Sequence, residues 1–163
     1  MEWLDADEAL YGMIDDIALI TPIRLACLVH DIAKPWTSIM KEGRLRFPRH
    51  SSVGAGVVVE RFTTLGFQES QVDFLSRMVR QHLRPAELVR NRPPSDEAVA
   101  KFVAAVDGHI LPLTLVNLAE GAATRGPRYT RKNFRIHCSL VNYVVGGGAF
   151  ATTRKARKAG SRP

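Results

Sequence analysis

Apolar residues along this chain recur mostly at helical intervals. Val72, Leu75, Met78 and Val79 fall at i, i+3, i+6 and i+7, the stripe of an amphipathic helix. His82 closes that helix, and Arg84-Pro85 breaks it. Residues Ser51 to Phe62 are apolar on most faces, which predicts a central helix, and Gly54 and Ala55 within it permit close backbone approach. Thr21-Pro22 reads as an N-cap residue before a proline at the first helical position, opening a helix over Ile23–Ile32. Pro35 then ends that helix after Lys34. Further starts are signalled by Asp5 before Ala6–Ile14 and by Ser95-Asp96-Glu97 before Ala98–Val106. Ile110 to Thr124 predicts another buried helix, ended by Arg125-Gly126-Pro127, and a last one is expected over Arg131–Val145. Lys41 to Phe47 departs from this pattern and reads as a turn or short hairpin, and Pro93-Pro94 as a loop. No internal repeat is evident. The expected fold class is all-α.

Composition narrows this reading. At 163 residues the chain is expected to be one domain, without room for a second full one. A hydrophobic share of 45% is enough to bury a core and excludes disorder as the main state. No uncharged apolar run is long enough to span a membrane. Residues Met1 to Asp7 carry acids and no Lys or Arg, unlike a signal or transit peptide. Cys27 and Cys138 have no partner at metal-ligand spacing, and Cys27 sits in an apolar run as a small core residue. The expected compartment is the reducing cytoplasm. A helical body is expected over residues 1–145, followed by Gly146-Gly147-Gly148 and a basic tail to Pro163 expected to be disordered.

The net charge of +7 is unevenly spread. Residues 1–124 hold 13 Lys and Arg against 16 Asp and Glu, whereas residues 125–163 hold 10 basic residues and no acid. A basic end of this kind suits a phosphate backbone or an anionic surface, and equally a solvated tail.

The chemistry concentrates at Leu25-Ala26-Cys27-Leu28-Val29-His30-Asp31-Ile32-Ala33-Lys34-Pro35. An adjacent His and Asp close an apolar helix, where a carboxylate is costly unless paired or bound to a metal. Neutral imidazole and carboxylate are both good ligands for first-row metals. His50 and His82 fall at a helix start and a helix end. Glu120 lies deep in the apolar stretch Leu113–Ala123 and also needs a partner. These spacings are too long for a zinc finger, so a site would be assembled in three dimensions. A His/carboxylate site with open positions binds phosphate oxygens and lowers the pKa of bound water.

At this point the chain resembles a family, the HD-domain metal-dependent phosphohydrolases. It is most similar to the branch attached to tRNA nucleotidyltransferases (CCA-adding enzymes) and poly(A) polymerases. The matching pieces are Leu28-Val29-His30-Asp31-Ile32-Ala33-Lys34-Pro35, Gly43-Arg44 with Phe47-Pro48-Arg49-His50, and Gly54-Ala55. Leu65-Gly66-Phe67, Val79-Arg80-Gln81-His82-Leu83-Arg84-Pro85 and Leu118-Ala119-Glu120 follow in order.

The resemblance implies a helical bundle and a divalent metal (Mn, Mg, Ni, Co, Fe or Zn) held by His30, Asp31, His50, His82 and Glu120. It places Lys34 near the substrate phosphate. The expected function is a phosphohydrolase with catalytic roles for Asp31, Lys34 and Arg84, a metal-activated water attacking the phosphorus of a nucleotide or RNA-end phosphoester. Three departures stand out. No histidine precedes His30, whereas the family's first ligand comes from an upstream helix. Glu120 stands where the family has Asp, and Ala33 where it has Gly. At this length no nucleotidyltransferase head is expected, and no Gly-Ser is followed by a downstream Asp-x-Asp pair.

A blander reading accompanies each residue. His30-Asp31 can be a buried hydrogen bond that orders the bundle, and His82 can simply gain from a helix dipole. Lys34 and Arg84 can cap helix ends, and Glu120 can partner a buried Arg. His109 and His137 read as surface residues. The alternative function is a degenerate HD module that binds RNA or complements a separate nucleotidyltransferase head. Its contacts would be Arg125, Arg128, Arg131, Lys132 and Arg135, with Tyr129 and Phe134 available for stacking.

Overall fold

The structure, a computed structural model, describes residues 12–88 and 95–125. It begins with a hairpin of β1 (Met13–Ile14) and β2 (Ile17–Ala18), joined through Asp15 and Asp16. Asp15 sits at φ 54, a left-handed conformation that aspartate tolerates in a tight turn. This turn chemistry overrides the helix expected to run to Ile14; the earlier part of that expected helix lies outside the described residues.

Helix α1 spans Ile20–Val29 and buries Pro22, Ile23, Ala26 and Val29 on one face. It starts earlier than Thr21-Pro22 predicts. Leu19 occupies the N-cap without a side-chain bond, and its N–H is instead taken up by the Gly12 carbonyl at 2.7 Å. Pro35 also acts differently from expectation. The first helix has already ended at Val29, and Pro35 opens the short helix α2 (Lys34–Thr37), where its missing N–H does no harm.

The expected hairpin forms between β3 (Ile39–Lys41) and β4 (Arg44–Arg46), antiparallel, with Glu42 and Gly43 at its tip, both at positive φ. Helix α3 (His50–Thr64) and helix α4 (Glu69–Gln81) follow, joined by a short loop. Gly66, at φ +83, closes α3, and Phe67 turns back to stack edge-on against Phe62 with ring centroids 4.9 Å apart. The two helices pack closely because Gly54 has no side chain. A Cβ there would lie 3.0 Å from Val79 Cγ1 and 3.5 Å from Ala33 Cβ.

Helix α5 (Arg84–Leu88) is the short continuation that Pro85 leaves after α4. Helix α6 (Asp96–Val106) is capped by Ser95, whose Oγ accepts from the Ala98 N–H, as the sequence predicts. Asp107 and Gly108, both left-handed, turn the chain into α7 (Ile110–Arg125). The core gathers Ile23, Val58, Phe74, Leu75, Met78, Phe102 and Leu113 from five of these helices. The fold class is therefore all-α, with two small hairpins among the described residues. Among the described residues no single helix is long and apolar enough to cross a membrane. Helices α6 and α7 pass that test only as a pair, and they are bent by 97° at their junction. The helix expected over Arg131–Val145 and the tail lie outside the described residues.

Candidate metal centre

Four short stretches meet at one point. His30 is the C-cap of α1, and Asp31 follows it into the turn before α2, where Lys34 is the first residue. His50 is the first residue of α3, and His82 is the C-cap of α4. Helix ends leave backbone carbonyls without intrahelical partners, and these rings use such groups. His30 Nδ1 donates to the Cys27 carbonyl at 2.8 Å, and His82 Nδ1 to the Val79 carbonyl at 2.7 Å. His50 Nδ1 donates to the Phe47 carbonyl at 2.7 Å, in a turn that Arg49 completes at φ 60.

The consequence is chemical. With Nδ1 carrying the proton, Nε2 of each neutral ring presents a lone pair. His50 Nε2 lies 3.3 Å and His82 Nε2 3.7 Å from Asp31 Oδ1, and the two Nε2 atoms are 3.3 Å apart. Ligand atoms of Asp31, His50 and His82 thus fall within 4.8 Å of one another. Asp31 Oδ1 is buried and accepts no hydrogen bond. Electron pairs converge here with no proton between them, which is the arrangement a cation resolves. The donor set fits a divalent first-row metal.

The other carboxylate oxygen is engaged. Asp31 Oδ2 is bonded to the Lys34 ammonium and lies 3.2 Å from His30 Nε2. Burial alone would raise the Asp31 pKa, but His30 and Lys34 outweigh it and hold the carboxyl well below the usual range. The same contact with Asp31 raises the His30 pKa. His82 is fully buried, and desolvation pushes its pKa down to about 4. Its ring is therefore neutral at physiological pH and available as a ligand.

The family model for the HD domain matches residues 11–107. The chain belongs to the HD-domain family. No curated protein matches it significantly.

In this HD domain the expected His-Asp pair comes together with His50, His82 and Lys34. Glu120 is not among the converging atoms. It projects from α7 near enough for its carboxyl to feel the charges of His30, Asp31, Lys34 and His50, and burial raises its pKa. Glu120 is one α-helical turn from Asn117. Arg84, two residues beyond His82, is exposed, with Nη1 4.0 Å from Glu87 Oε2. Arg125 ends α7, and Arg128, Arg131, Lys132 and Arg135 lie outside the described residues. His109 is half-buried rather than on the surface, with its ring 5.0 Å from that of Phe74.

Sequence reasoning missed Asn117. Its Nδ2 donates to the His82 carbonyl at 3.0 Å, tying α7 to the end of α4 where that histidine sits. Its Oδ1 is buried without a partner. The available signal was an uncharged amide within the apolar stretch that also holds Glu120.

Proposed function

We propose that this HD domain is a divalent-metal phosphohydrolase acting on a nucleotide or an RNA-end phosphoester. The observation that carries the reading is the buried, unbonded Asp31 Oδ1 facing the Nε2 atoms of His50 and His82. Asp31, His50 and His82 would hold the metal, with His30 and Glu120 completing its surroundings. A divalent ion there supplies Lewis acidity toward a phosphoryl oxygen and activates water as the nucleophile. The chain's own residues do the rest. The Nδ1–H bonds to main-chain carbonyls keep the rings oriented before substrate arrives. Lys34 fixes Asp31 through Oδ2 while its side chain stays 30% exposed, so its charge also reaches a phosphoryl oxygen. Arg84, just beyond His82, adds positive charge from the surface. The sequence likeness to the tRNA nucleotidyltransferase branch supports an RNA-end substrate, with Arg125, Arg128, Arg131, Lys132 and Arg135 as the RNA contacts.

Elemental mass spectrometry of the purified protein and of Asp31→Ala tests the reading, together with phosphatase and phosphodiesterase screens. Near-stoichiometric metal and turnover are expected in the parent, and neither in the variant. Unchanged turnover in Asp31→Ala would sink it. A second reading, a degenerate module that binds RNA or complements a nucleotidyltransferase head, is favoured by one observation: Glu120 stands off from the converging atoms. A parent protein that takes up no Mn²⁺, Co²⁺ or Ni²⁺ would support that second reading.

A further inference from the structure

The β3–β4 hairpin has two chemically different faces, which its register separates. Partners directly opposite in an antiparallel pair share a face. Ile39 pairs with Arg46 and Lys41 with Arg44, so Lys41, Arg44 and Arg46 lie together; Met40 and Leu45 lie on the other side. All three cations are exposed. Lys41 and Arg44 stand directly opposite each other, a like-charge pair that destabilises a hairpin. Two strands of three residues have little stability to give up. A bound anion would relieve that repulsion.

This face borders a cleft of about 500 Å³, lined by Ile39, Lys41, Glu42, Arg46, Phe47 and Pro48. Phe47 is shared between the cleft and the metal centre. Its carbonyl accepts from His50 Nδ1, and its ring lies 5.3 Å from the Lys34 ammonium. From Lys34 to Arg49 the chain carries five cations (Lys34, Lys41, Arg44, Arg46, Arg49) and a single acid, Glu42. The rest of the first 124 residues is net acidic, so positive charge is concentrated beside the centre. Arg44 and Arg46 are two residues apart on one strand, about 7 Å along it, which spreads the charge over more than one phosphate. Just before the hairpin, Trp36 leaves 67% of its surface exposed, an aromatic face on which a base can stack.

We propose that this hairpin is a strand-binding arm for single-stranded nucleic acid, with Lys41, Arg44 and Arg46 on successive phosphates and Trp36 under a base. The arm holds the part of the strand that is not cleaved and leads its end past Phe47 to the metal centre. The proposal deepens the phosphohydrolase reading by naming its substrate as a polynucleotide, and in that respect rests on it.

The test uses the full chain and a fluorescein-labelled dodecauridylate, with binding followed by anisotropy in EDTA so that hydrolysis plays no part. Combined Lys41→Ala, Arg44→Ala and Arg46→Ala substitution is expected to weaken binding at least tenfold at low salt. The plot of log affinity against log salt should flatten by about two, the loss of three phosphate contacts on a single strand. Trp36→Ala should weaken binding without changing that slope. Arg24→Ala, Arg61→Ala and Lys101→Ala combined, which remove equal charge elsewhere on the surface, should leave the affinity within about twofold. Metal content and melting temperature of each variant show that it is folded. Parent-like binding by the hairpin variant would overturn the proposal, as would equal losses from both triple variants. Equal weakening of UTP and dodecauridylate would also overturn it, in favour of a mononucleotide. If the hairpin result holds but the phosphoester screens find no turnover, the hydrolase reading fails and the binding arm stands.

Discussion

His50 and His82 face each other Nε2 to Nε2 across 3.3 Å, with both Nδ1 protons committed to main-chain carbonyls. Two neutral rings in this state repel, and a shared cation turns that repulsion into coordination. His50→Ala and His82→Ala are each expected to weaken Co²⁺ binding at least a hundredfold by titration calorimetry. Binding within a few-fold of the parent in either variant would show that the pair is not a ligand set.

Asn117 acts on the same centre without touching it. Its amide holds the His82 carbonyl from α7. Asn117→Leu should lower stability by about 1–2 kcal/mol, since a buried carbonyl loses its donor. It should also weaken Co²⁺ binding roughly tenfold, the usual scale for a partner that orients a ligand. A stability loss with unaltered metal affinity would make the residue merely structural.

Gly54 and Gly56 share a helix and should respond oppositely to substitution. A side chain at Gly54 meets Val79, Ala33 and Ile32, whereas Gly56 is exposed and has nothing within 4 Å of an added Cβ. Gly54→Val should destabilise by about 1–3 kcal/mol through overpacking. Gly56→Ala should stabilise by about 0.5–1 kcal/mol through helix propensity. Urea denaturation midpoints decide both signs.

His109 gives a pH dependence separate from the metal centre. Burial against Phe74 lowers its pKa, with Arg77 adding to the effect and Asp107 and Asp73 opposing it. The unfolded chain therefore binds this proton more readily than the folded one. The neutral ring's contribution to stability is complete above the unfolded pKa of about 6.5 and declines as pH falls through that value toward the lower folded one. Melting temperatures between pH 7.5 and 5.5 should fall less steeply in His109→Asn than in the parent. Parallel curves would remove His109 from the account.

Much of this centre was legible before any coordinates. His30-Asp31 announced itself as a charged pair ending an apolar helix, and the ordered motif brought His50 and His82 to the same point. Local punctuation was less readable. Thr21-Pro22 looks like a helix start, yet a backbone tether from Leu19 to Gly12 begins the helix sooner. Pro35 looks like a stop, but the helix had already ended and the proline opens the next turn. Asn117 was hidden because its importance depends on which carbonyl lies across from it, a property of packing between α7 and α4. The hairpin itself was visible in the sequence. The sorting of its cations onto one face was not, because strand register decides that.

Each imidazole in the cluster has its proton parked on main chain, on the carbonyls of Cys27, Phe47 and Val79. Every residue has a carbonyl, so replacing the side chain at those three positions leaves the acceptor in place. The tautomers are thus guarded by local chain geometry and not by the identity of neighbouring residues. Sequence around the cluster can drift widely without rewiring it, provided that the three turns keep their shape.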